Sequence, residues 1–202
     1  MADGGKIVIT GTGRAGTTFL VRLLTELGFS TGYASMWDGY RRDVRAGMEV
    51  HLDPATVTAE DVERAPEVVK DPRYCHWLGR LVGSGRMRVR HVLIPVRPLA
   101  EATESRARTG LWWLPGDMFP DGTAPGETPP PCASLQRQRL RLAEALGELV
   151  ATVNEYDLPH TFLRFPLLVQ DGAYCYDRLR PILQEHTPRG FLVVHERVAR
   201  AV

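Results

Sequence analysis

The chain has 202 residues, with a formal net charge of +1, 44% hydrophobic and 24% charged residues. That length and balance predict one globular domain of residues 1–202 with a full core. They exclude the strongly basic footprint of a nucleic-acid binder and any apolar run of the roughly 18 residues that a membrane span requires.

The N-terminal MADGGK carries no apolar signal core and leads almost directly into a strand, so a cytoplasmic protein is expected. Cys75, Cys132 and Cys175 are odd in number, widely spaced and form no Cys-x-x-Cys pair. Reduced thiols and no metal site are the expectation.

Lys6–Thr10 reads as a buried strand, and Thr17–Leu27 as a helix that Gly28 stops. Between them lies Gly11-Thr-Gly-Arg-Ala-Gly-Thr-Thr18. Residues 32–54 read as polar and irregular. Thr58-Ala-Glu-Asp61 has the pattern of a helix start, and Glu67–Lys70 that of a short buried strand before Asp71-Pro-Arg73. A helix follows over about 74–82, then the strand 90–96, ending at Arg97-Pro98, and a helix over about 99–108.

Residues 111–134 hold six of the fifteen prolines and the adjacent pair Trp112-Trp113, which predicts a long loop or lid. Apolar residues at 135, 142, 146, 149, 150 and 153 predict one face of a helix over 135–156. A last strand within 160–168 and a closing helix over 174–185 complete the reading. Strands alternating with helices predict an α/β fold, a P-loop-type three-layer α/β/α arrangement on a mainly parallel sheet.

The glycine loop between first strand and first helix suits an anion, because the helix N-terminus offers unpaired N–H groups and the positive end of a dipole. Gly11 and Gly16 have the spacing of a nucleotide-binding P-loop, G-x-x-x-x-G-K-[ST], yet Thr17 stands where that motif carries lysine. Thr17 and Thr18 add hydroxyl donors. Arg14, inside the loop, is the candidate for the missing charge, and a guanidinium can take two phosphate oxygens at once.

Arg14-Ala-Gly-Thr-Thr-Phe19 resembles the 5′-phosphosulfate loop of sulfotransferases that use 3′-phosphoadenosine-5′-phosphosulfate (PAPS). That loop reads Lys/Arg, Ser/Thr, Gly, Thr, Ser/Thr and then an aromatic residue or leucine; Ala15 departs from the usual serine. The second signature of the superfamily is an arginine after a later strand with a serine eight residues on. Arg97-Pro-Leu-Ala-Glu-Ala-Thr-Glu-Ser105 is similar to it. Val68-Val-Lys-Asp-Pro-Arg73 resembles the strand that carries the family's lysine, and Phe162–Asp171 is a weaker echo of a later strand and turn. Many members close over the nucleotide with a glycine-rich C-terminal segment, of which Pro188-Arg-Gly190 is only a fragment.

The resemblance covers about residues 6–185 and implies a short, bacterial-type member of the superfamily. It implies a nucleotide site of Gly13, Arg14, Ala15, Gly16, Thr17 and Thr18 on the 5′-phosphosulfate, with Arg97 and Ser105 on the 3′-phosphate. Lys70 becomes the stabiliser of charge on the leaving phosphate. The implied activity moves a sulfuryl group from PAPS to a hydroxyl or amine of a small-molecule acceptor, releasing PAP without a metal. The base of the small-molecule branch, two residues after the strand-end lysine, is replaced by Pro72. Asp38, Glu49 and His51 are the candidate bases; Glu49, flanked by apolar residues, comes first and His51 second. Trp37, Trp112 and Trp113 suggest an aromatic acceptor pocket. Two other readings stay open: a P-loop kinase or NTPase, and a non-catalytic nucleotide-binding protein of the same fold.

Overall fold

The computed structural model describes residues 4–43, 45–109, 135–183 and 186–201. Four parallel strands make the central sheet: β1 (Lys6–Ile9), β4 (Val68–Lys70), β5 (Val89–Val96) and β6 (His160–Arg164), in the order β4-β1-β5-β6. Period-two alternation sends successive side chains to opposite faces. Ile7, Ile9, Val68 and Leu93 enter one core, and Val8, Val69, Val92 and Ile94 the other.

The first core is closed by α1 (Thr17–Glu26), α7 (Gly172–Leu183) and α8 (Pro188–Ala199). The second is closed by α3 (Tyr74–Gly83) and α5 (Leu135–Glu155), with α4 (Leu99–Arg108) packed against α5. Helices therefore cover both faces, the three-layer α/β/α arrangement that the strand–helix alternation predicts. Two short helices, α2 (Ala59–Arg64) and α6 (Leu167–Gln170), complete the set. Thr58 and Asp61 form the capping box that starts α2, and Gly28 (φ 88) ends α1 as expected. Among the described residues no helix is long and apolar enough to cross a membrane.

From β1 the chain crosses to β4 on one side, then returns to β5 on the other. This reversal opens a crevice beyond the carboxyl ends of β1, β4 and β5, the place where open α/β sheets bind ligands. The glycine loop, Lys70-Asp71 and Arg97 all leave those strand ends.

Several expectations change. Residues 32–54 are not wholly irregular: β2 (Tyr40–Arg41) and β3 (Ala46–Gly47) form a small antiparallel ladder. On α5 the buried stripe is Gln138, Leu142, Ala145, Leu149 and Val153, whereas Leu135 and Val150 are 46% and 43% exposed. Position 150 lies about 100° round the helix from 149, outside the stripe that meets α3. The last strand stops at Arg164, before Pro166, which has no N–H to give a ladder. The final helix α8 was not anticipated; Pro188-Arg-Gly190 forms its first turn, where Thr187 accepts a hydrogen bond from the Gly190 N–H at 3.2 Å. The segment 111–134, with Trp112 and Trp113, and Cys132 lie outside the described residues, as do residues 184 and 185 of the expected closing helix.

Candidate active site

Gly13 (φ 69), Arg14 (φ 55) and Gly16 (φ 95) turn the loop through left-handed backbone. Gly16 is the N-cap of α1, and lacking a side chain it leaves the first-turn N–H groups of that helix uncapped. A Cβ at Gly16 would sit 3.1 Å from Leu168 Cδ1 and 3.2 Å from Phe165 Cδ2, so the loop is pressed against the end of β6. Thr17 and Thr18 are buried at the helix start. Ala15 is fully buried, its methyl group placed where a serine hydroxyl would need a partner. Its contribution to the loop is therefore its backbone.

Arg14 joins two segments far apart in sequence. Its Nε donates to Ser105 Oγ at 3.2 Å, and its carbonyl accepts from an Arg97 guanidinium nitrogen at 3.4 Å. Another Arg14 guanidinium nitrogen donates to the Arg45 carbonyl at 3.3 Å. Burial, then repulsion from Arg97 and Arg45 and a smaller push from Arg108, hold the Arg14 pKa below its ordinary value. Arg97 lies 4.8 Å over the Phe165 ring and donates to Glu101 at 3.2 Å. Arg106, which the sequence reading did not single out, is buried, with a guanidinium nitrogen 3.2 Å from where a Gly13 Cβ would stand. Its one signal was its place next to Ser105 on α4.

Lys70 ends β4 with its side chain only 2% exposed. Its Nζ donates to the Gly47 carbonyl at 3.0 Å and to Thr18 Oγ1 at 3.4 Å, and is ion-paired with Glu49 Oε1. Burial lowers its pKa, and the Glu49 carboxylate, with Asp71 behind it, works in the opposite direction. The β2–β3 ladder positions this pair. Gly47 sits at φ 111, where a Cβ would fall 2.2 Å from the Gly39 carbonyl oxygen. No other residue type fits there without moving the backbone.

The segment after the ladder runs beside the end of β4. The Val50 N–H donates to the Lys70 carbonyl at 2.9 Å, and the Tyr74 hydroxyl donates to the Val50 carbonyl at 2.5 Å. Glu49 and His51, on either side of Val50, reach the consecutive residues Lys70 and Asp71. His51 Nδ1 is 2.6 Å from Asp71 Oδ2. Asp71 also accepts from the Arg73 backbone N–H at 2.9 Å, from its Nε at 3.1 Å and from a terminal guanidinium nitrogen at 2.7 Å. Burial would raise the Asp71 pKa, but the hydrogen bonds from His51 and Arg73 outweigh it and hold the carboxyl below its ordinary value. The Arg73 guanidinium is stacked 4.4 Å over Trp77 and also touches His51 Nδ1.

Two further candidates are occupied structurally. Asp38 accepts the Ala34 N–H at 3.1 Å within a local turn. Trp37 packs between the guanidinium groups of Arg22 and Arg42, at 4.7 and 4.5 Å. The strand-end crevice thus brings together the loop, Arg97 and Ser105 on one side, and Lys70, Glu49 and the His51–Asp71 pair on the other. No protein-family model matches the chain, and no curated protein or solved structure matches it.

Proposed function

We propose that the chain is a sulfotransferase that moves a sulfuryl group from PAPS to a hydroxyl or amine of a small-molecule acceptor. The observation that carries this reading is geometric: Arg14, in the loop before the uncapped N-terminus of α1, donates to Ser105 Oγ at 3.2 Å while its carbonyl accepts from Arg97 at 3.4 Å, so two guanidinium groups and a hydroxyl gather at that helix end. Such a cluster is relieved by a multiply charged anion. A nucleotide with phosphates at both its 5′ and 3′ positions fits donors spread over a loop and a separate helix.

PAPS supplies a sulfuryl group already attached to a phosphate leaving group. The loop N–H groups, Thr17, Thr18 and Arg14 would hold the 5′-phosphosulfate, and Arg97 and Ser105 the 3′-phosphate. Lys70, 3.4 Å from Thr18 Oγ1, is placed at the helix end where charge would develop as the sulfur–oxygen bond breaks. Glu49, ion-paired with that ammonium, holds it beside Thr18.

A P-loop kinase needs a lysine before Thr17-Thr18 and a carboxylate free to hold magnesium. The first is absent from the sequence, and the Asp71 oxygens are already engaged by Arg73 and His51. Thermal unfolding tests the reading. PAP should raise Tm more than ADP or 5′-AMP at equal concentration, because binding to the native state alone stabilises it. Equal shifts for all three nucleotides would remove the 3′-phosphate subsite.

A further inference from the structure

The acceptor must lose a proton as it attacks, and the first two candidate bases have different surroundings. Glu49 is committed to Lys70. Protonating it would strip an almost fully buried ammonium of its counter-charge, which is strongly unfavourable. His51 has no such obligation. Its side chain is 61% exposed, while the Asp71 carboxylate behind it is 2% exposed and fixed by Arg73.

Resting on the sulfotransferase reading, we propose that His51 is the general base and Asp71 its positioning residue. With Asp71 accepting the Nδ1–H, the Nε2 lone pair is the one left for an incoming proton on this exposed ring. A buried carboxylate that fixes a ring tautomer and then stabilises the imidazolium is a recurring arrangement in acyl transfer, and its physical logic does not depend on the group transferred. Lys70 and Asp71 are consecutive at the end of β4, and Glu49 and His51 flank Val50 on the segment beside it, so the electrophilic pair and the basic pair leave neighbouring residues of the same two segments.

The acceptor O–H or N–H gives its proton to His51 Nε2 while the acceptor atom bonds to sulfur. The bond from sulfur to the bridging oxygen breaks, and its electron pair leaves on the PAP phosphate beside Lys70 and Arg14. The imidazolium, paired with Asp71, then releases the proton to water.

Arg73 supplies the competing arrangement. Its guanidinium touches the same Nδ1, and if it donated there the ring would carry its proton on Nε2 and could not act as a base. The tautomer therefore decides the proposal. Histidine-selective 15N NMR of the ligand-free protein, with His51→Ala to assign the signal, should show His51 protonated on Nδ1 and bare on Nε2. Asp71→Asn should disturb that signature. An Nε2–H tautomer in the wild type overturns the proposal.

Turnover of PAPS with phenol, a primary alcohol and a primary amine as probe acceptors gives the second readout. For His51→Ala, kcat should fall about 10²- to 10⁴-fold, with part of the loss rescued by added imidazole. PAP affinity should be unchanged. A variant that turns over at the wild-type rate while binding PAP normally refutes the base alone. A wild type that fails to bind PAP refutes the sulfotransferase reading instead.

Discussion

The Lys70 ammonium reaches Thr18 Oγ1 at 3.4 Å across 52 residues of chain. That contact ties the end of β4 to the start of α1 and sets a buried cation beside the uncapped helix terminus. Its other partners, the Gly47 carbonyl and Glu49, come from the ladder and the residues after it. The ammonium is held from three directions before any ligand arrives, the preorganisation that transition-state charge requires.

Replacing Lys70 should therefore damage the chemical step more than binding. Lys70→Met is expected to lower kcat by about 10²- to 10³-fold, by analogy with loss of one oxyanion donor. PAP affinity should move by less than about threefold, well within the 1.4 kcal/mol that a tenfold change represents. Single-turnover kinetics beside equilibrium titration separates the two effects.

The ladder's role can be read at Gly47. With φ 111 and the Gly39 carbonyl oxygen 2.2 Å from an added Cβ, Gly47→Ala forces the backbone away from Gly39 and disturbs the carbonyl that accepts from Lys70. A stability loss of at least about 1–3 kcal/mol is expected from the strained backbone. Denaturant unfolding measures it, and an Ala variant as stable as the wild type would mean that the ladder yields freely.

Asp71 gives stability a defined pH dependence. Its folded-state pKa is depressed, so more protons bind in the unfolded chain. The stabilisation is fully present above the unfolded-state value of about 3.9 and is lost as pH falls through the lower folded-state value. Asp71→Asn should accordingly be less stable than the wild type at pH 7, with the gap narrowing steadily below about pH 4. Denaturant titrations of both proteins across that range provide the check.

Cys75 and Cys175 are fully buried in opposite cores, and burial pushes both thiols up to about 12. The thiolate is the reactive form. Iodoacetamide at pH 8 should leave both unmodified in the native protein and alkylate both in denaturant, as mass spectrometry of the peptides would show.

Much of the positioning was legible in the sequence because it is local. Strand, glycine loop and helix are written consecutively from Lys6 to Leu27, and Arg97-Pro98 marks a strand end leading into α4. The meeting of Arg14 with Ser105, and of Lys70 with Glu49, rests on strand order, which no short pattern encodes. The tie between His51 and Asp71 depends on Val50 running beside Lys70, a pairing invisible from spacing alone. On α5 the larger apolar residues Leu135 and Val150 are exposed, while Ala145 and the polar Gln138 are buried. Apolar character alone does not say which way a helix is rotated. The Thr187-Pro188 start of α8 carried a readable cap signal that the C-terminal resemblance obscured.

Calorimetric titration with PAP, run beside ATP plus magnesium and repeated on Arg97→Ala, tests the central claim most directly. Micromolar PAP binding that weakens at least tenfold in Arg97→Ala is predicted, with ATP–magnesium binding far weaker. Tight ATP–magnesium binding without PAP binding would contradict the account and make the loop that of a kinase or NTPase.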